Sequence, residues 1–208
     1  MTGPSSASYL LISCSPLSAA SRETMSRVIL TLAAATCLGW LSLCWASTDN
    51  RWVLVDTHDR TLAVMNGEKV LKTFPGIALG RGGTSQERHR GDGKTPLGVF
   101  YIGWIKWNSP FHIFIGLDFP SWDYAERAYK HKLIDDKTYI AIQDALLRGE
   151  TPPQDTPLGG HIGIHGIGSG DPLIHEAFNW TKGCIALTNK QIEQLVSLVP
   201  LGTKVIIK

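Results

Sequence analysis

The stretch RWVLVDTHDRTLAVMNG, Arg51 to Gly67, decides the fold class. Trp52, Leu54 and the β-branched Val53 and Val55 run into a turn at Thr57 to Arg60, and Leu62 to Met65 follow. Asn66-Gly67 is the strongest short hairpin signal a sequence offers. Lys69 to Phe74 returns, and Pro75-Gly76 ends the run. Three sequential strands with tight turns predict an antiparallel meander.

Working outward, Gly80 to Pro96 (GRGGTSQERHRGDGKTP) reads as a long basic, glycine-rich loop. Loops of this kind are functional or mobile. Arg81, Arg88, Arg90 and Lys94 can meet a carboxylate-bearing substrate or form a solvated charge run. Val99 to Trp107 and Phe111 to Ile115 are strand-like. Between Asp123 and Glu150 the apolar period becomes helical. Two short helices are expected there, Asp123 to His131 and Asp135 to Arg148, as an insertion against the sheet. Gly149 and Pro152-Pro153 stop them. GGHIGIHGIG returns to a strand pattern. Thr188-Asn189-Lys190-Gln191 is a capping box ahead of Ile192, Leu195, Val196 and Val199, which predicts a helix over Asn189 to Leu198. A final strand covers Thr203 to Ile207. The domain is expected to be mostly β with a few α-helices, including a helical insertion.

The chain has 208 residues, 43% hydrophobic and 18% charged, which excludes a disordered chain and suits one domain plus a leader. A net charge of +2 without a basic arm gives no reason to expect nucleic acid as a partner. Residues 1–46 read as the leader and 47–208 as the domain. Met25-Ser26-Arg27 is a short positive segment, Val28 to Leu43 is apolar, and Cys44-Trp45-Ala46 is a small-x-small cleavage site. This is the pattern of a secretory signal peptide over 25–46, with Met25 as an alternative start. An uncleaved anchor is the competing reading, although the apolar run falls just short of the roughly 18 to 20 residues of a span. A lipobox at Leu41 to Cys44 is disfavoured, because Leu43 stands where a small residue precedes a lipidated cysteine. An exported, periplasmic domain is expected, tethered to the inner membrane if the leader stays.

Cys14, Cys37 and Cys44 lie in the leader, so the domain keeps one cysteine, Cys184. A lone thiol in an exported protein is either buried or kept for its reactivity. His161, His165 and His175 precede it. Zinc is one reading, but its ligand atoms must lie within about 2.0–2.3 Å of one ion. His161 and His165 on a strand stand roughly 13 Å apart, and GGHIGIHG is a poor helix. The other reading is nucleophilic. An imidazole takes the proton of a thiol whose ordinary pKa is about 8.5, leaving a thiolate–imidazolium pair. Gly183 lets the chain turn tightly and keeps bulk from an incoming carbonyl. N–H groups of Lys182 to Cys184 can form an oxyanion hole, and Thr181 adds a hydroxyl. Spacing alone does not choose between His165 and His175.

His165-Gly166 followed by Thr181-Lys182-Gly183-Cys184 resembles the L,D-transpeptidase catalytic domain family (YkuD-type). GDGKTPLGVFYI, Gly91 to Ile102, resembles that family's Thr-Pro-x-Gly segment, and the hairpin from Trp52 also fits. The resemblance covers Arg51 to Lys208 and implies its β-sandwich or barrel-like fold. It implies Cys184 as the acylated nucleophile, His165 as general base and Gly183 in the catalytic turn. Thr181, Gly166, His161 and Trp180 are candidates for contact with substrate. Asp171 is a candidate partner for a donor amine and His175 for a carboxylate. No metal or organic cofactor is implied. Many members carry Arg or Asn where Ala186 stands; Trp180 with CIALTN resembles a YafK-like branch. The implied substrate is a peptidoglycan stem peptide, attacked at the L-centre of its third residue with release of D-Ala. The acceptor would be another stem's amine, a lysine of a wall-linked lipoprotein, or water. The helical insertion and the loop Ser169 to Phe178 are the expected walls against water.

Overall fold

The computed structural model describes residues 50–208, so the expected leader lies outside the described residues. The meander forms as its turn residues dictate. Strand β1 (Arg51–Asp56) pairs antiparallel with β2 (Thr61–Asn66), and β2 with β3 (Lys69–Pro75). Gly67 supplies the positive φ of 58° at the Asn66-Gly67 turn. The meander does not stand alone. The last strand, β10 (Lys204–Ile207), lies parallel to β1, with Val53 opposite Val205 and Val55 opposite Ile207.

A long strand, β6 (Gly98–Ser109), joins two parts of the sheet. Its first half pairs with β10 and its second half with β7 (His112–Leu117), and the register shifts between Ile102 and Trp104 where the partner changes. Beyond β7 come β8 (Gly163–His165), antiparallel, and β9 (Ile185–Ala186), parallel to β8. The order is β3-β2-β1-β10-β6-β7-β8-β9. The chain after β3 then reaches the far edge. Ala78 and Ala186 exchange backbone hydrogen bonds of 3.0 and 2.8 Å, and Gly80 bridges Thr181. These contacts curl the sheet towards a barrel, which covers the β9 edge. The fold is thus mostly β and barrel-like with peripheral helices, as expected.

Val53, Val55, Leu62, Val64, Phe100 and Val205 are fully buried and form the centre of the core. Burying each such side chain contributes roughly 1.5–3 kcal/mol. The helical insertion is present as α1 (Trp122–Lys130) and α2 (Asp136–Leu147). Tyr124, Ala125 and Ala128 of α1 and Ile142 and Ala145 of α2 face the core, while Tyr129 and Tyr139 stack with ring centres 4.4 Å apart. Asp135 caps α2 by accepting from the Thr138 N–H at 2.9 Å.

Three local expectations change. Ser169 to Phe178 is not only a loop: it carries a short helix, α3 (Pro172–Ala177). Asp171 caps it through the Leu173 N–H at 2.8 Å, and Pro172 opens the first turn, a start signal outweighed in the sequence by flanking glycines. The strand over GGHIGIHGIG shrinks to Gly163–His165, because His161 takes a φ of 53° that no strand tolerates. The Gly80 to Pro96 loop is ordered, with Thr84–Ser85 (β4) parallel to Thr95–Pro96 (β5). The capped helix, α4 (Asn189–Leu198), spans the expected residues with its capping box formed.

Candidate active site

The turn Thr181–Cys184 is built from close backbone packing. Gly183 has a φ of 123°, and a Cβ there would lie 2.6 Å from the Lys94 carbonyl oxygen. Its neighbour Gly80 has no room either: a Cβ would meet the Gly93 oxygen at 2.2 Å and the Gly183 Cα at 3.1 Å. The glycine-rich loop is therefore pressed backbone to backbone against the turn. Thr181 is buried and locks the turn from inside. Its hydroxyl donates to the Cys184 carbonyl at 2.7 Å and accepts from the Gly183 N–H at 3.1 Å. That N–H is thereby removed from any oxyanion hole. Among the described residues the Lys182 and Cys184 N–H groups make no protein hydrogen bond, so they are the donors left for a developing oxyanion.

Cys184 is half-buried at the start of β9. Its Sγ donates to the His161 carbonyl at 3.4 Å. Burial pushes the thiol up to about 11, against the opposing pull of the Gly163 N–H and the Arg88 charge. The β8–β9 register sets His165 opposite Ala186, and the period of two places Cys184 on that same face, diagonal to His165.

His165 is buried among rings, with Phe111 at 4.3 Å, Trp180 at 5.8 Å and Phe114 at 6.0 Å between centres. Its Nδ1 lies 2.7 Å from the Gly166 carbonyl oxygen. A carbonyl only accepts, so the neutral ring carries its proton on Nδ1 and its lone pair on Nε2. Burial lowers the pKa of His165; the Gly166 bond raises it and His175 lowers it further. Burial thus favours the neutral thiol and the neutral imidazole over the ion pair expected from sequence.

The other sequence candidates have distinct places. Gly166 is buried under α4, where a Cβ would meet Asn189 Oδ1 at 2.6 Å, and its carbonyl orients His165. Trp180 packs on His165 and Phe111 and donates from Nε1 to His175 Nδ1 at 3.4 Å. His175 is a buried residue of α3. His161 is exposed and its N–H donates to Gln154 Oε1 at 2.6 Å. Asp171 uses its carboxylate as the α3 cap. Two clefts share walls with the neighbours of the pair. One of about 400 Å³ is lined by Phe111 and Trp180, whose rings pack on His165, and by Ile174. The other, about 500 Å³, is lined by His161, Lys182, Arg81, Arg88 and Arg90. The sequence reading grouped Arg88 with its loop and carried no sign that it alone is buried. Tyr124 of α1 donates to the Ser85 carbonyl at 3.1 Å, so the insertion braces this loop.

The L,D-transpeptidase catalytic domain model matches residues 50–207. The chain belongs to that family. Among curated proteins no relative matches it. Of solved structures, Pgp2 of Campylobacter jejuni, described as a helical cell shape determining protein, is 24% identical with a TM-score of 0.50 over 76% of this chain and 47% of that one. Bd1075 of Bdellovibrio bacteriovorus is 19% identical, TM-score 0.48, over 78% and 49%. An L,D-transpeptidase of Xylanimonas cellulosilytica is 16% identical, TM-score 0.44, over 78% and 62%. The chain spans about half the length of the first two. At these identities the likeness concerns the fold.

Proposed function

We propose that this L,D-transpeptidase domain performs cysteine acyl transfer on peptidoglycan stem peptides. The observation that carries the reading is His165, its Nδ1 tied to Gly166 and its Nε2 free, diagonal to a cysteine on a glycine-built turn. Because burial favours the neutral forms of both groups, the thiol proton moves to Nε2 as sulfur attacks. The carbonyl at the L-centre of the third stem residue becomes a tetrahedral oxyanion, held by the Lys182 and Cys184 N–H groups. Collapse breaks the amide, His165 returns the proton to the departing D-Ala amine, and a thioester remains on Cys184. An acceptor amine then gives its proton to His165 and displaces the sulfur, which regains a proton. A second stem gives a 3→3 cross-link; a lipoprotein lysine gives wall attachment.

Hydrolysis is the second reading, because Cys184 is only half-buried, which leaves its thioester open to water. The chain is incubated with disaccharide-tetrapeptide and its products are weighed by mass spectrometry. Dimer less D-Ala supports transfer, and tripeptide alone supports hydrolysis. No turnover, with Cys184→Ala matching the parent, overturns both in favour of a wall-binding module. Export to the periplasm, by the leader read from sequence, is part of the proposal.

A further inference from the structure

The cleft beside His161 is lined by Arg81, Arg88, Arg90 and Lys182 against one acid, Asp155, which pairs with Arg90. Arg88 differs from the other three. Its side chain is 4% exposed, and its Nε and Nη1 have no hydrogen-bond partner. Asp92 forms a long ion pair with it, Oδ1 lying 3.7 Å from Nε, outside hydrogen-bond distance. Asp92 is already engaged: Oδ1 accepts from the Lys94 N–H at 2.9 Å and Oδ2 from the His89 N–H at 2.8 Å. The guanidinium is held in a slot. Its carbon sits 5.3 Å from the Phe119 ring centre. Opposite, Gly159 leaves space that a Cβ would narrow to 3.2 Å from Nη1.

A buried cation with unmet donors at the wall of a cationic cleft calls for an anion, and a planar fork suits a carboxylate. We propose that Arg88, with Arg81 and Lys182 at the cleft mouth, is a carboxylate subsite that seats the acyl donor beside Cys184. His161, whose carbonyl accepts from Cys184 Sγ at 3.4 Å, and Lys182, two residues before the sulfur, line the same cleft as Arg88, so a carboxylate held there lies on the Cys184 side of the domain. With meso-diaminopimelate as third residue, a tetrapeptide stem offers three free carboxylates: the terminal one of the departing D-Ala, the one at the D-centre of the third residue, and the α-carboxylate of the γ-linked second residue. That the carboxylate belongs to a stem peptide rests on the acyl-transfer reading; the anion preference of the cleft does not.

Two alkylating reagents separate these claims. Iodoacetate and iodoacetamide attack the same sulfur and differ in one carboxylate. In the full chain their rates at Cys184 are read by mass spectrometry of the peptide that contains it. The ratio of the two rates cancels changes in thiol exposure or acidity. Arg88→Gln should lower the iodoacetate to iodoacetamide ratio by about tenfold, and Arg88→Lys by less, since the charge remains without the fork. Arg88→Met, an apolar filler of the slot, repeats the test should glutamine unfold the chain. A ratio within about twofold of the parent in folded Arg88→Gln or Arg88→Met overturns the subsite. Tetrapeptides amidated at the terminal carboxyl, at the D-centre or at the second residue's α-carboxyl then identify the source. The amidation that raises KM in the parent but not in Arg88→Met marks the carboxylate held. If none of the three does so, a stem-peptide ligand is overturned. If the parent turns over no donor while the alkylation ratio still falls, acyl transfer fails and the anion subsite stands.

Discussion

In the half of the sheet built from β1, β2, β3 and β10, Val53, Val55, Leu62, Val64 and Val205 are fully buried, and side chains fill the space. In the half built from β7, β8 and β9, glycine stands where a side chain would collide. A Cβ at Gly116 would lie 2.0 Å from the Trp104 indole, and one at Gly163 would lie 2.4 Å from the Ile115 carbonyl. Side-chain packing loses energy in steps as atoms are trimmed. Backbone-on-backbone packing has no such gradation, because the smallest added group already overlaps. The first half therefore contributes stability through side chains alone, while the second, which buries Ile115, Leu117, Ile164 and Ile185 as fully, adds the close glycine contacts that fix the geometry of Cys184 and His165.

Cys184→Ala is the sharpest test of that division. It should reduce turnover by roughly 10³-fold or more, with the melting temperature close to that of the parent. A large fall in melting temperature would mean that the sulfur is a packing element. By the family resemblance, a carbapenem should add covalently to the parent and not to this variant, as intact-mass measurement reads.

Leu62→Ala probes the other half. Leu62 is fully buried and pairs with Val55 and Phe74, so truncation should cost about 2–5 kcal/mol in urea unfolding. Below its new transition the variant should keep the parent kcat. Gly183→Ala reverses the pattern. Its φ of 123° and the 2.6 Å overlap with the Lys94 oxygen force the turn to move. Turnover should fall on the order of 100-fold, with a smaller change in unfolding than Leu62→Ala. A wild-type rate in Gly183→Ala would break the comparison.

This asymmetry explains what the sequence disclosed. The meander, the α1–α2 insertion and α4 follow from periodicity, Asn66-Gly67 and a capping box, which are local signals. The parallel pairings β1–β10 and β8–β9 join segments far apart in the chain and have no local mark. The order of His165, Gly183 and Cys184 was legible through resemblance to a family. Their protonation was not, since burial of His165 among Phe111, Phe114 and Trp180 depends on the closed sheet. Arg88 was visible only as one arginine among several, because its burial depends on Phe119 and Gly159 from other segments.

Acid should act on the site half before it reaches the meander. The folded pKa of His165, and also that of His175, lies below the ordinary imidazole value of 6.5. Between the folded and ordinary values the unfolded chain binds more protons, so stability rises with pH in that window. The contribution is complete above 6.5 and is lost as pH falls towards the folded values. Urea midpoints should therefore decline from pH 7 towards pH 5, and His165→Gln should flatten the decline. The rate should hold below pH 6.5, since the base stays neutral there; an acid limb at or above 6.5 would contradict the burial argument.

The smallest effect tests the joint between the halves. Thr188 Oγ1 accepts from the Gln191 N–H at 3.3 Å, and Gln191 Oε1 accepts from the Thr188 N–H at 2.9 Å. Gln191 Nε2 also donates to the Pro75 carbonyl at the end of β3, 3.0 Å away. On the site side, Asn189 accepts from the Gly168 N–H at 2.9 Å and donates to its carbonyl at 2.8 Å. The α4 start thus touches both halves. Thr188→Ala should cost about 1 kcal/mol in unfolding. If the glycine packing of β8 and the Thr181–Cys184 turn holds the site without help from α4, the rate should stay within about twofold of the parent. A rate loss larger than the stability loss would show that α4 positions Gly166 and, through its carbonyl, the His165 ring.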